Sequence, residues 1–322
     1  PDNARMHIGL GEALSLLSAA TWAVGVILYR QLVRDLPPLT LGFVKNALVL
    51  VLLLPLPLVL HGTALPAIPP RDAMLAVASG FLGIAVADTL YFGALARLGA
   101  ARMGIIGNAY SPLVILLSVA FLGERLGAWQ VIGFLLVMAG VAVIARRPRP
   151  ATVVVGEPVP PPDPAPEPEM SASTRATPAR DTHLAAIGLG VLSIALMAVA
   201  IVMIKPVLEA QPLGWVTLLR MLGALTGLVL IAALRGDLRA LLPRGRRVNW
   251  RLLLAAAFFG QFLSMVLWLG GYKYAPASVA AVLNETASIF IVLLAWLWLR
   301  EPLGRRGAIG VTLTLGGVVL ML

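Results

Sequence analysis

The sequence predicts an all-α integral membrane protein whose ten transmembrane helices form two inverted repeats of five. Three observations carry that expectation. Hydrophobic residues fill 59% of the 322 positions and charged residues only 12%, and the apolar residues fall in long unbroken blocks instead of the alternating stripes of a water-soluble domain. Ten of those blocks come near the roughly 20 residues that a helix rising about 1.5 Å per residue needs to cross a hydrocarbon core roughly 30 Å thick. Finally, the chain matches itself across a central proline-rich stretch.

The blocks lie near residues 9–29, 38–60, 72–95, 99–122, 127–145, 184–206, 213–234, 250–272, 277–299 and 304–322, the fifth and tenth being short. No small-residue cleavage site of the A-x-A kind follows the first, and nine more blocks come after it, which predicts a retained span and not a signal peptide. The second block carries Lys45, and the third carries Asp88 and Tyr91. In the fourth, "NAYSPLV" sets Asn108, Tyr110 and Ser111 beside Pro112, whose missing N–H frees a carbonyl and predicts a kink. Gly133 and Gly140 in the fifth permit close helix approach. Next comes "RRPRPATVVVGEPVPPPDPAPEPEMSASTRATPARD", which holds ten of the 24 prolines and almost no large apolar residues; it predicts a disordered, partly extended linker. The seventh block carries Arg220, the eighth Gln261, Ser264, Trp268 and Tyr272, the ninth Asn284, Glu285 and Ser288, and the tenth Gly310 and Gly317. The expected organisation is therefore a first repeat at 1–146, a linker at 147–182 and a second repeat at 183–322.

Shifting the chain by 177 residues lays "LGERLGAWQVIGFLLVMAGV" (122–141) over "LREPLGRRGAIGVTLTLGGV" (299–318), with Glu124 on Glu301, Gly133 on Gly310 and Gly140 on Gly317. At a shift of 175, Pro37 falls on Pro212 and Lys45 on Arg220. Glycine, acid and base coinciding in one register point to an internal duplication. Five is odd, so the second half enters the membrane upside down relative to the first. Inverted repeats are a recurring architecture of secondary transporters, with the substrate site near the midplane where the halves meet.

These two stretches, with "ATWAVGVILYRQLVRDLPPLTLGFVKN" opening the first half, resemble the EamA-like branch of the drug/metabolite transporter superfamily. The resemblance covers nearly the whole chain outside the linker. It implies a ten-helix carrier in the inner (plasma) membrane that moves small metabolites such as amino acids, nucleobases or related solutes, often outward. The long proline-rich linker departs from the short connection usual in such proteins and reads as an insertion.

Within the blocks the ionisable residues are Lys45, Asp88, Arg220 and Glu285. Counting along each helix puts Lys45 level with Asp88 below the side that holds the linker, and Arg220 level with Glu285 below the opposite, far side. Each pair lies roughly 10 Å below its own surface, leaving about 10 Å between the levels. An ion in hydrocarbon is costly unless it has a partner or faces water. Arg220 is the expected partner of Glu285, and Lys45 of Asp88. Two readings stay open: salt bridges that lock helices together, or charges that line a central aqueous cavity and bind or gate there. In the second, a substrate carboxylate competes for Arg220 or Lys45, and a substrate amine for Asp88 or Glu285. Asn108 with Ser111, Gln261 with Ser264, and Asn284 with Ser288 recur at i,i+3 or i,i+4 spacing and supply further polar groups to such a cavity. Trp22, Tyr91, Tyr110, Trp268 and Tyr272 offer apolar walls, while Trp250, Trp296 and Trp298 read as interfacial anchors. Glu124 and Glu301, at span ends, read as structural caps or as partners of Arg125 and Arg305.

Other chemistries find little support. There is no cysteine, and His7, His61 and His183 lie at or beyond helix ends, so a thiol, metal or imidazole centre is not expected and no cofactor is implied. Neither a G-x-x-x-x-G-K-[ST] loop nor an H-E-x-x-H set occurs, which argues against a nucleotide motor and a membrane-embedded enzyme. A non-transporting scaffold or sensor that uses the proline-rich linker as a docking segment is the remaining alternative. The net charge of +10 reflects arginines beside the membrane, as in "LPRGRRVNWR", which favours anionic lipid headgroups over nucleic acid. Outside Lys45 and Arg220, 18 Lys and Arg lie toward the linker side and five toward the far side, placing the linker in the cytoplasm; the family resemblance implies the reverse. A proton is a possible coupling ion, with Glu285 or Asp88 as its carrier.

Overall fold

The structure, a computed structural model, describes residues 9–32, 36–57, 66–98, 103, 106–145, 180–243, 248–299 and 305–321. Most of the predicted linker, His7, His61 and Glu301 lie outside them, as do the side chains of Trp296 and Trp298. Among the described residues the regular structure is helical. In the first half these are α1 (Leu10–Leu32), α2 (Pro38–Leu53), α3 (Pro70–Gly80), α4 (Ala87–Leu98), α5 (Tyr110–Leu117) and α6 (Ala128–Ala145). The second half holds α7 (Arg180–Ala210), α8 (Leu213–Leu234), α9 (Trp250–Ala257), α10 (Ser264–Tyr274), α11 (Ala277–Asn284), α12 (Ala287–Leu299) and α13 (Arg305–Met321). Helices satisfy their own backbone groups, the requirement for any chain crossing hydrocarbon. Among the described residues, six stretches are long and apolar enough to cross a membrane: Leu10–Tyr29, Leu39–Pro57, Pro70–Tyr91, Leu184–Ala210, Leu213–Leu234 and Trp250–Tyr274. Four shorter apolar helices, Tyr110–Leu122, Ala128–Val143, Ala277–Ile291 and Ala308–Met321, fall on the remaining predicted blocks.

Two irregularities recur in both halves. The rod α3–α4 is joined by a π-helical segment, Phe81–Val86, and the rod α9–α10 by another, Phe258–Leu263, whose ends fall on the first at the 177-residue shift. The helix leading into α5 is interrupted by a turn at Asn108–Ala109, and α11 gives way to α12 through a turn at Glu285–Thr286, at the same shift. Pro112 was expected to make a kink; the second half, with Ile289 at the corresponding position, breaks without a proline. There, Glu285 N–H reaches the Val282 carbonyl at 3.1 Å and Thr286 N–H the Leu283 carbonyl at 3.1 Å, the i→i−3 pattern of a tightened turn. The Asn284 amide donates to the Ala280 carbonyl at 2.7 Å and the Thr286 hydroxyl to the Leu283 carbonyl at 2.6 Å, so side chains compete for the helix's own acceptors.

The halves interleave. From the first half, α1 packs on α10 and α6 on α13; α4 packs on α7 of the second half, and α3 on α8. Under the repeat the α1–α10 and α4–α7 contacts exchange places, as a pseudo-twofold relation requires. Glycine makes the closest crossings. A Cβ on Gly133 of α6 would sit 2.6 Å from the Gly317 carbonyl oxygen of α13, and one on Gly317 would sit 2.5 Å from the Gly133 oxygen. The main core gathers Val49, Val114, Ile201, Ile204, Leu208, Val216, Met221, Leu269 and Tyr272 around α7 and α8. Trp250 on α9 and Trp22 on α1 are both exposed, at 50% and 40%.

Candidate functional site

Arg220 projects from α8 against α3 of the other half. Gly80 lets the α3 backbone reach the main chain of Arg220, and a Cβ there would collide with the Arg220 carbonyl. The guanidinium Nη1 donates to Ser79 Oγ, whose own hydrogen goes to the Ala200 carbonyl of α7 at 2.8 Å. The Trp268 ring lies 5.8 Å from Arg220 Cζ, near enough for cation–π attraction. Arg220 is only 2% exposed, and its Nε–H has no acceptor among the described residues.

Glu285 stands in the turn between α11 and α12 and accepts a 2.5 Å hydrogen bond from Ser111 Oγ of α5, which also lies 3.2 Å from the Ala281 carbonyl. The expected Arg220–Glu285 ion pair is not formed: Glu285 is held by Ser111 of α5, and Arg220 by Ser79 of α3. Tyr110 of α5 lies within electrostatic reach of both charges, and its hydroxyl is 3.2 Å from that of Tyr272 on α10. The Trp268 ring meets Tyr272 edge-on at 5.1 Å. Equal depth along two helices, which the sequence supplies, does not fix which way each side chain turns.

Lys45 and Asp88 are within electrostatic reach of each other but make no ion pair within 4 Å. Lys45 Nζ sits 5.6 Å from the centre of the Tyr29 ring, which packs against Gly260 in the second half's π-helical segment. The Tyr29 hydroxyl and Asn46 Oδ1 are buried without hydrogen-bond partners among the described residues. So the cations that correspond under the repeat, Lys45 and Arg220, each sit beside an aromatic ring where one half meets the other.

Of the predicted site residues, the structure brings together Arg220, Trp268, Ser111 and Glu285. Lys45 and Asp88 form a separate polar cluster. Tyr91 packs instead beside Ala94, Leu98, Met103 and Ala186, on a seam with α7. Ser264 is used between helices: Ser18 Oγ donates to its carbonyl at 3.0 Å, and its own hydroxyl reaches back to the Ser18 carbonyl at 3.4 Å. Asn284 is turned to its own helix, whereas Asn108, Gln261 and Ser288 are half-buried at the breaks and the π-helical segment. Ser79, Tyr110, Tyr272 and Tyr29 were not among the predicted ligands. Only the aromatic character of Tyr110 and Tyr272 signalled them, and Ser79 gave no signal beyond a hydroxyl next to glycine. Among the described residues no group of three His, Cys, Asp or Glu is placed to hold a metal ion.

Two cavities open at opposite faces. One of about 600 Å3 at the far face is lined by Phe121, Glu124, Lys205, Glu209, Lys273 and Tyr274 among others. Another of about 240 Å3, toward the linker side, lies between Leu36–Thr40 and the short 3-10 helix Leu238–Leu241. The polar groups between them, Ser79, Ser111, Arg220 and Tyr272, are packed shut.

The comparisons with known proteins agree with this layout. A solved structure described as "Crystal structure of protein", one of 28 matching chains, superposes with a TM-score of 0.70 at 18% identity, covering 97% of this chain and 94% of that one, and so shares the fold. No curated protein matches in sequence. The profile of the EamA-like transporter family matches twice, over residues 9–146 and 184–322, which are the two halves described above. The chain therefore belongs to the EamA-like transporter family, part of the drug/metabolite transporter superfamily, and is a multi-pass membrane protein of a family that transports small solutes.

Proposed function

We propose that the chain is a secondary-active exporter of small metabolites, in which ten membrane-crossing helices form two inverted halves that rock and open a central site to one side at a time. One observation carries this reading. Arg220, buried, and Glu285, half-buried, are charges of opposite sign without ionic partners among the described residues, and they flank the Tyr110–Tyr272 hydroxyl pair on the seam between the halves. A buried ion left unpaired is costly, so a solute that brings complementary groups gains by entering. Its acceptor end meets Arg220 under the Trp268 ring, and its donor end meets Glu285 and Ser111. Amino acids, nucleobases and related solutes have that make-up. Lys45 and Asp88 with Tyr29, and the half-buried Asn108, Gln261 and Ser288, line the approach on either side. Arginines flanking the spans hold anionic lipid headgroups.

Energy comes from the solute's own gradient, from exchange or from a proton. Glu285 is held by a hydroxyl and not by a cation, so protonating it breaks no ion pair, contrary to the expectation from sequence. The test is uptake of labelled amino acids and nucleobases into reconstituted vesicles, after a thermal-shift screen has found which of them raise the apparent stability. Arg220→Gln and Glu285→Gln are expected to lower flux at least tenfold. A protein that moves no labelled solute at any gradient is not a carrier. If Glu285→Gln and Asp88→Asn each leave pH-driven uptake unchanged, proton coupling is excluded.

A further inference from the structure

The end of α5 is built to send one carboxylate across the molecule. Its last turn is π-helical, Ser118–Leu122, and Gly123 then takes the left-handed conformation at φ 68°, which turns the chain out of the helix. Glu124, next in line, keeps its N–H on the Ser118 carbonyl at 3.3 Å while its side chain leaves for α11 in the other half. Glu124 Oε1 accepts from Ala277 N at 2.6 Å, and Oε2 from Ser278 N at 3.0 Å and Ser278 Oγ at 2.6 Å. Two of the three donors are first-turn N–H groups of α11, at the positive end of the helix. The helix has no side-chain cap of its own, because its cap position is Pro276.

A cap that served α11 alone is most simply a serine or aspartate at position 276. Drawing it from the other half instead ties two bodies that must part if the site is to open on this face. The same α11 ends two turns later at Glu285, and its Ala281 carbonyl lies 3.2 Å from Ser111 Oγ, so movement of its N-terminus is passed straight to the site. Glu124 also borders the 600 Å3 far-face cavity. Water there can solvate both the carboxylate and the freed N–H groups, so release leaves nothing buried and unsatisfied. The neighbouring ties differ in kind. Lys273 binds the carbonyls of Leu208, Glu209 and Gln211, and Lys205 pairs with Glu209, all within the second half. One further bond, Gln211 Nε2 to Asp72 Oδ2 at 2.8 Å, crosses between halves on the same face.

We propose that Glu124 is a gating residue of the transport cycle: its hold on the start of α11 keeps the far face shut, and its release lets α11 swing and exposes Glu285 to that face. This rests on the alternating-access reading above. The chain contains no cysteine, so introduced thiols report cleanly. In a Glu124→Cys, Ser278→Cys double variant, oxidation is expected to stop flux and reduction to restore it, with either single variant indifferent to oxidant; a cross-linked protein that transports at the reduced rate overturns the proposal. Independently of transport, an Ala281→Cys reporter is labelled by an impermeant maleimide applied at the far face. Adding Glu124→Gln is expected to speed that labelling about tenfold, and an unchanged rate overturns the gate. Faster labelling in a protein that moves no solute upholds the gate and defeats the carrier reading, so the two failures are distinguishable.

Discussion

Ser79 is small and uncharged, yet it carries much of what holds Arg220 in place. Among the described residues its hydroxyl is the one acceptor that Nη1 finds, and it passes its own hydrogen to the Ala200 carbonyl, so a single oxygen links α8, α3 and α7. Ser79→Ala leaves a buried guanidinium N–H unpaired, and we expect a loss of about 1–3 kcal/mol, read as a lower thermal unfolding midpoint, with Ser79→Thr milder. Tyr272→Phe removes only the 3.2 Å hydroxyl contact with Tyr110, between groups that are both uncharged. Its expected loss is about 1 kcal/mol, smaller than that of Ser79→Ala in the same assay. At this scale the sequence was half legible. Lys45, Asp88, Arg220 and Glu285 stood out because ions are rare in hydrocarbon, and four of the predicted residues do meet. Their pairing could not be read, since the rise along a helix sets depth while packing between helices sets direction. Ser79 gave no hint, because a serine in an apolar helix usually bonds within its own turn.

Among the elements, the π-helical segments matter most for where side chains point. Each inserts extra backbone into its rod without altering the apolar composition, which is why hydropathy located both rods and missed both segments. Deleting Leu82 should restore plain α-helix through Phe81–Val86 and close the wide turn, while Asp88 and Tyr91 keep roughly their present faces, because one i→i+5 turn absorbs the one extra residue. We expect a protein that still inserts and purifies but has lost flux; retained flux would mean the segment is dispensable. Close helix approach at Gly133, Gly140, Gly310 and Gly317 was legible from sequence, because the glycines recur in register, but that α6 and α13 approach each other was not. A leucine at Gly140 has no room against the Gly310 carbonyl and Thr314. Gly140→Leu is expected to destabilise by about 1–3 kcal/mol, seen as a lower unfolding midpoint.

For the molecule as a whole, the duplication was readable but the exchange of contacts between halves was not, since a repeat tells which residues correspond and not which touch. Because α1 packs on α10, α4 on α7 and α6 on α13, the halves are joined by helices and do not depend on the linker for their contact. Cutting the chain near residue 165 and co-expressing the pieces should therefore yield halves that purify together through a tag on either one; recovery of the tagged half alone would contradict this. A reporter fused to the C-terminus is expected to read outside the cytoplasm, following the excess of Lys and Arg on the linker side. The coincidence of the helix interruptions at Asn108–Ala109 and Glu285–Thr286 reaches further back. A quirk of backbone shared at one register by both copies is most simply older than the copying, so a single-copy progenitor already carried the broken helix. Fusion then gave each copy freedom to change its polar residue independently, asparagine in one and glutamate in the other.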